Sequence, residues 1–393
     1  DPGRARPILL GHSPMSPRAY DVVIVGAGIV GTACAAECAS AGLKVAVVEA
    51  AFVGGGATAA GMGHIAVMDD NEAQFALTRY SQALWDQLAE ELPTDCEFRR
   101  SGTIWIAADE EELNHLRRKE QVYRERGVSV ELLDERALAE AEPNLRRGLR
   151  GGLLVPGDSV LYPPCAARFL MERARDWGAR IFLGHPVVRL DEGGVMLRDG
   201  SFIAAGVIVN ATGMWAPELT PGLAIKKRKG HLAITERYPG IVHHQLVEVG
   251  YIKSAHAHEA EAVAFNLQPR PTGQLLIGSS RQYEAEDPHV DHRTLARMLT
   301  RACEYLPRLA ELSVIRTWTG FRAATPDNLP LIGPLPGRER VYLATGHEGL
   351  GITMSLGTAK LLVAQLLNRP SAIPIEPYLP SRMEHPTCLR SSP

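Results

Sequence analysis

The chain has 393 residues, with 42 Lys and Arg against 45 Asp and Glu, a formal net charge of −3. At roughly 150 residues per domain that length implies two or three structural units, and the lack of positive excess argues against nucleic acid as a main partner. Hydrophobic residues at 45% and charged residues at 22% describe a globule rather than a disordered chain; the departure is glycine, 37 residues against a usual ~7%, gathered in a few clusters.

Residues 1–18 read as a disordered tail, with Met15 a candidate start. The longest nearly apolar stretch, Val22 to Ala36, contains three glycines and stops at Glu37. A spanning helix needs about 20 apolar residues, so no transmembrane segment is expected. The cysteines (34, 38, 96, 165, 303 and 388) are scattered without a Cys-x-x-Cys pair. That pattern argues against a zinc or iron–sulfur site and fits a reducing, cytoplasmic setting.

Tyr20 to Val25 is a β-branched run followed at once by Gly26-x-Gly28-x-x-Gly31, a small-residue helix from about Ile29 to Ala41, and a second strand, Lys44 to Val48. Gly26 permits a tight turn, Gly28 lets backbone approach a pyrophosphate, and Gly31 lets helix and strand pack closely. The helix N-terminus attracts phosphate. Glu49, 18 residues after Gly31, stands where an acid takes the hydroxyls of an adenosine ribose. The unit predicts dinucleotide binding but does not choose between FAD and NAD.

Later segments make that choice. Phe202 to Asn210 is strand-like and runs into Ala211-Thr212-Gly213. Val341 to Ala344 is another strand, followed by Gly346-His347-Glu348-Gly349-Leu350-Gly351 and an apolar helix from about Ile352 to Leu367. A second glycine turn opening a helix offers a positive end to another anionic group. Reduced flavin is such a group, and a nicotinamide enzyme has no need of this element.

Together VVIVGAGIVG, GGGATAAGMGH (54–64), NATG (210–213), TGFRAATPDNLPLIGP (319–334) and TGHEGLGITMSLGTAKLLVAQLL (345–367) resemble the D-amino-acid-oxidase family of flavoenzymes, which includes glycine and sarcosine oxidases. The 54–64 loop and the segment after it look most like glycine oxidase, and are also similar to the flavin-bearing β subunits of heteromeric D-hydroxyproline and opine dehydrogenases. The resemblance implies an α/β, Rossmann-like FAD domain (19–92, 150–222 and 319–370) interleaved with a mainly antiparallel substrate domain (93–149 and 223–318). Residues 371–393 are expected to form a C-terminal tail. Strands are expected at Phe98–Ala107, Ala262–Leu267, Gln274–Gly278 and Leu312–Trp318, and a charged, solvated helix at Asp109–Arg126.

The resemblance also implies an FAD contact set. It runs through Gly26, Gly28, Ile29, Val30 and Gly31, then Glu49 and Ala50, then Gly55, Gly56, Ala60, Gly61 and Met62. It continues with Val187, with Ala211, Thr212 and Gly213, and with Gly346, His347, Gly349, Leu350, Gly351, Ile352 and Thr353. Arg322 falls where the family keeps an arginine for the substrate carboxylate, and a planar guanidinium suits that task because it grips through two parallel hydrogen bonds. Met62 and Tyr251 are further substrate-contact candidates. His64 reads either as structural or as an active-site group, and His347 as a flavin-proximal contact.

The implied reaction is hydride removal from the α-carbon of a small amino acid to flavin N5, giving an imine. Candidate substrates are a D-amino acid, D-hydroxyproline, glycine, sarcosine or an opine. The alternative is a flavin-bearing β subunit relaying electrons to partner subunits; a homo-oligomer is equally compatible with the sequence. No cysteine lies in Phe321–Asp327, so FAD is expected to be non-covalent. His243-His244 and His256-x-His258 lack a third ligand at fitting spacing, so no metal is expected. The basic run Lys226 to Lys229 reads as a surface face or a partner contact.

Overall fold

The computed structural model describes residues 19–250, 261–283 and 285–384. Tyr251, His256 and His258 lie outside them, as do the 1–18 segment and Cys388. Among the described residues no helix is long and apolar enough to cross a membrane.

The glycine-rich opening folds as its spacing predicts: strand Tyr20–Val25, helix Ile29–Ser40, strand Val45–Glu49. These two strands pair in parallel and enter an eight-stranded sheet. Its spine runs Leu331–Leu335, Arg338–Thr345, Phe202–Asn210, Tyr20–Val25, Val45–Glu49, Arg180–Leu183. All neighbours on it are parallel except the edge hairpin 331–345. An antiparallel ribbon, Val187–Asp191 and Gly194–Leu197, extends from Phe202–Asn210. Parallel strands buried on both faces need nearly continuous apolar runs, which is why VVIV and VAVV carry so little polarity. Helix Ile29–Ser40 can lie close to its neighbours because it buries Ala33, Cys34, Ala35, Cys38 and Ala39 in place of large side chains. Burial pushes both of its thiols up in pKa.

The second sheet has nine strands, ordered His347–Glu348, Val314–Ala324, Lys226–Thr235, Leu275–Tyr283, Glu261–Pro269, Gln245–Glu248, Thr103–Ala107, Gly151–Val155, Glu131–Asp134. It is antiparallel apart from the pair Gln245–Glu248 and Thr103–Ala107. The amphipathic helix His292–Tyr305 covers one face with Leu295, Met298, Ala302 and Tyr305.

Three expectations change. The boundary at 150 puts Gly151–Val155 in the FAD unit and the boundary at 319 divides Val314–Ala324, yet both strands belong to the second sheet. Val314–Ala324 is held there by continuous pairing with 226–235, from Lys226↔Ala324 onward, so it does not end at Trp318. The segment 371–384 is no loose tail: Tyr378 is fully buried and donates its hydroxyl to Ala73 O, while Arg382 pairs with Asp327. The charged helix Glu110–Glu125 is capped by Asp109 and solvated on one face, but it also buries Lys119, which pairs with Asp69 and lies 4.8 Å over the Trp105 ring.

Candidate active site

The nucleotide cradle is built by close backbone approach. Gly26 has φ +102°, and a Cβ on it would meet Ala211 O at 2.7 Å; one on Gly31 would meet Gly26 O at 2.0 Å. Gly28 caps the helix without a side-chain bond, and Thr58 Oγ1 accepts from Ile29 N–H at 2.9 Å. Glu49 closes its strand with a carboxylate that accepts from Ala27 N–H at 2.7 Å and Ala51 N–H at 2.8 Å, beside exposed Ala50. Each carboxylate oxygen keeps a further lone pair, the kind of acceptor a ribose hydroxyl requires. His185 N–H donates to Glu49 O, and Val187 follows two residues on. The Ala211-Thr212-Gly213 turn is fixed by Asn210 Oδ1, which accepts from Thr212 N–H and Oγ1–H, and by Thr345 Oγ1–H, which donates to Gly213 O.

The loop 54–64 leaves this cradle and lies between the helix Gly351–Leu366 and the second sheet. Gly55 packs at Phe52 and Gly56 at Trp215. Toward the helix, a Cβ on Gly61 would sit 2.8 Å from Ile352 Cδ1, and Thr353 Oγ1–H donates to His64 O at 3.0 Å. Toward the sheet, Trp318 Nε1–H donates to Ala60 O at 3.3 Å and Gln268 Nε2–H to Met62 O at 2.8 Å. No side chain caps the start of helix Gly351–Leu366, whose Leu350 N–H donates to His347 O and whose Gly351 lies near Val30. Gly346, at φ +79°, turns the chain into it. The start of this helix thus offers uncapped N–H groups, which suit an anionic group such as reduced flavin.

Arg322 projects from the second sheet beside this loop. Two residues earlier, Gly320 leaves space for Ala60, since a Cβ there would fall 2.4 Å from Ala60 Cβ. Gly230 leaves space for the guanidinium itself, at 2.6 Å from Nη1. Arg322 Nη1–H donates to Ser280 O at 3.1 Å, which orients the plane. Met62 reaches the same face, with Sδ 3.2 Å from a Cβ placed on Gly278.

Sequence reasoning missed three residues here. Arg228 is directly opposite Arg322 in the register, and Arg281 lies on the next strand. Both approach the Glu348 carboxylate, Arg228 at 3.5 Å and Arg281 at 3.7 Å, as Arg322 does at 3.9 Å. Burial works to raise the Glu348 pKa, but Arg281, Arg322, Arg228 and the Gly349 N–H together bring it below the usual carboxylate value. The basic run is a surface face only in part: Lys226 is exposed, but Arg228 stacks on Tyr283, and Lys229, 2% exposed, pairs with Asp287.

The histidines have different parts. His347 is buried, shares a hydrogen bond with Thr358 Oγ1 at 2.9 Å, and is pushed by burial down to a pKa of about 3, which favours the neutral imidazole. His64 Nε2 shares a hydrogen bond with Thr103 Oγ1 at 2.7 Å and lies 4.0 Å from Asp158 Oδ2. His244 Nδ1 is paired with Glu142 Oε1 at 2.8 Å, and His243 N–H donates to the same oxygen.

Burial lowers the His64 pKa to about 4 and raises that of Asp158 to about 7. These act oppositely on stability. His64 binds its proton more weakly when folded, so its contribution rises with pH from about 4 to 6.5; Asp158 binds its proton more tightly when folded, so its contribution falls as pH rises from about 4 to 7. Asp158→Asn removes the second slope, of at most about 1.4 kcal/mol per pH unit. Its urea midpoint is expected to climb more steeply than wild type between pH 4.5 and 6.5; parallel curves would contradict the assignment.

The family model of DAO-type FAD dependent oxidoreductases matches residues 21–365. The chain belongs to this family. It is 30% identical over 368 residues to glycine oxidase of Geobacillus kaustophilus, covering 89% of this chain and 93% of that protein. It is 26% identical to hydrogen cyanide synthase subunit HcnC of Pseudomonas aeruginosa, covering 93% and 97%. The solved structure of the G. kaustophilus glycine oxidase superposes with a TM-score of 0.83 at 27% identity, covering 92% of this chain and 98% of that one. The chain is an FAD-dependent oxidoreductase with a mixed α/β, FAD-binding fold; the glycines at 26, 28 and 31 and the Glu49 carboxylate fit a dinucleotide.

Proposed function

We propose that this chain oxidises a small amino acid at its α-carbon, yielding an imine. The carrying observation is Arg322: a guanidinium oriented by Ser280 O, given room by Gly230, and placed beside the loop Ala60–Met62. When bound, FAD supplies the electron acceptor, its N5 taking the hydride. Arg322 binds the substrate carboxylate through two parallel hydrogen bonds and so fixes the direction of the Cα–H bond. Met62 and buried Leu232 present apolar surface that excludes water around it. The amine enters neutral, so the chain needs no strong base at the reacting carbon.

Similarity to glycine oxidase supports a small primary or secondary amine, within the set glycine, sarcosine, D-amino acids, D-hydroxyproline and opines. The test is anaerobic mixing of the isolated FAD-loaded chain with that panel, following loss of oxidised-flavin absorbance. At least one member should bleach the flavin without any partner protein. Bleaching by none would favour a flavin-bearing subunit dependent on partners.

FAD is held without a covalent bond in this reading: Cys34, Cys38 and Cys96 are buried, and Cys165 and Cys303 lie outside the contact set. Acid precipitation should release the yellow colour into the supernatant; colour remaining in the pellet would contradict it.

A further inference from the structure

Glu348 has no task in the reaction as described, yet it sits inside the site. Strand pairing Ala323↔Glu348 places it beside Arg322, and its side chain is only 10% exposed. Its Oε2 accepts from Gly349 N–H. Its Oε1 stands 3.5–3.9 Å from Arg228 Nη1, Arg281 Nε and Arg322 Nε, and has no hydrogen-bond partner among the described residues. The residue also adopts φ +50°, a left-handed conformation that a glutamate rarely takes. A buried carboxylate oxygen lacking a donor costs free energy, so the position suits a ligand that brings one.

The chemistry of that donor follows from Arg322. In an α-amino acid a single carbon separates the nitrogen from the carboxylate. A substrate gripped by Arg322 therefore carries its N–H within reach of an acceptor lying 3.9 Å from the guanidinium. We propose that Glu348 Oε1 accepts a hydrogen bond from the substrate α-amino group, so that Glu348 selects α-amino acids over amine-free carboxylic acids. No proton is transferred: the contact holds the nitrogen so that its lone pair can align with the breaking Cα–H bond. The inference deepens the amino-acid reading above and rests on it.

The test compares FAD-loaded wild type, Glu348→Ala and Glu348→Gln on matched pairs: glycine and acetate, D-alanine and propionate, D-proline and cyclopentanecarboxylate. Kd for each amine-free acid comes from its perturbation of the flavin spectrum, and the apparent constant for each amino acid from anaerobic flavin reduction. In Glu348→Ala the ratio of amino-acid to amine-free constants should rise about tenfold or more, the scale of a hydrogen bond to a charged group. Binding of the amine-free acids should hold or tighten, because an internal anion near Arg322 is gone. Glu348→Gln keeps an acceptor oxygen and should show a smaller rise. An unchanged ratio, whether or not both constants worsen together, overturns the inference and leaves Glu348 as a counter-ion for the arginines. A rise in Glu348→Gln equal to that in Glu348→Ala overturns the hydrogen-bond account. A wild type reduced by no amino acid overturns the amino-acid reading and this inference with it; a wild type that is reduced, with an unchanged ratio, overturns the inference alone.

Discussion

Arg322→Ala is expected to keep its FAD and lose about 1.5–3 kcal/mol of transition-state binding, a fall in kcat/KM of roughly 10- to 150-fold. The flavin should stay because the guanidinium's hydrogen bond and ion pair go to Ser280 O and Glu348, both on the second sheet. Loss of the fork removes both the attraction and the orientation of the carboxylate, so kcat as well as KM should suffer. Arg322→Lys restores charge without the two-pronged geometry and should recover only part of the loss. An unchanged kcat/KM in the alanine variant would take Arg322 out of the site.

Gly31→Ala is the second large effect, and it acts on the cofactor. The added methyl would fall 2.0 Å from Gly26 O, a backbone atom that cannot rotate away. Helix Ile29–Ser40 would have to move off strand Tyr20–Val25, and with it the turn that approaches the pyrophosphate. Overpacking of this kind costs about 1–3 kcal/mol. The variant should purify with much less flavin and a lower Tm, and added FAD should recover only part of either. Full flavin content at wild-type Tm would show that the helix can shift without loss. Gly42→Ala serves as the control, since nothing lies within 4 Å of a Cβ there and only its φ of +87° opposes the change.

What could be read from the sequence was local. The strand, the Gly26–Gly31 turn, the helix and Glu49 lie within 30 residues, and each step constrains the next through spacing alone. The second-sheet chemistry was not local. Arg228, Arg281 and Arg322 converge because three strands pair in one register, over separations of some 40 to 95 residues that no periodicity encodes. The run Lys226–Lys229 misled in part because charge runs are usually solvated, whereas this one opens an interior strand on which the adjacent cations Arg228 and Lys229 find separate partners. The strand expected to end at Trp318 continues to Ala324, and at Gly320 within it the missing side chain makes room for Ala60. The described part of the expected C-terminal tail is anchored because Tyr378 and Arg382 find their partners far upstream, at Ala73 and Asp327.

The double attachment of the 54–64 loop bears on how such a site is tuned. Ala60 and Met62 are bonded to the second sheet through Trp318 and Gln268, and the same loop touches Ile352 and Thr353 at the start of the last long helix. The spacing between the start of that helix and the second sheet is thus bridged by a short span of chain held at both ends. In the function proposed above, substrate range would change through the residues lining the gap that this span bridges.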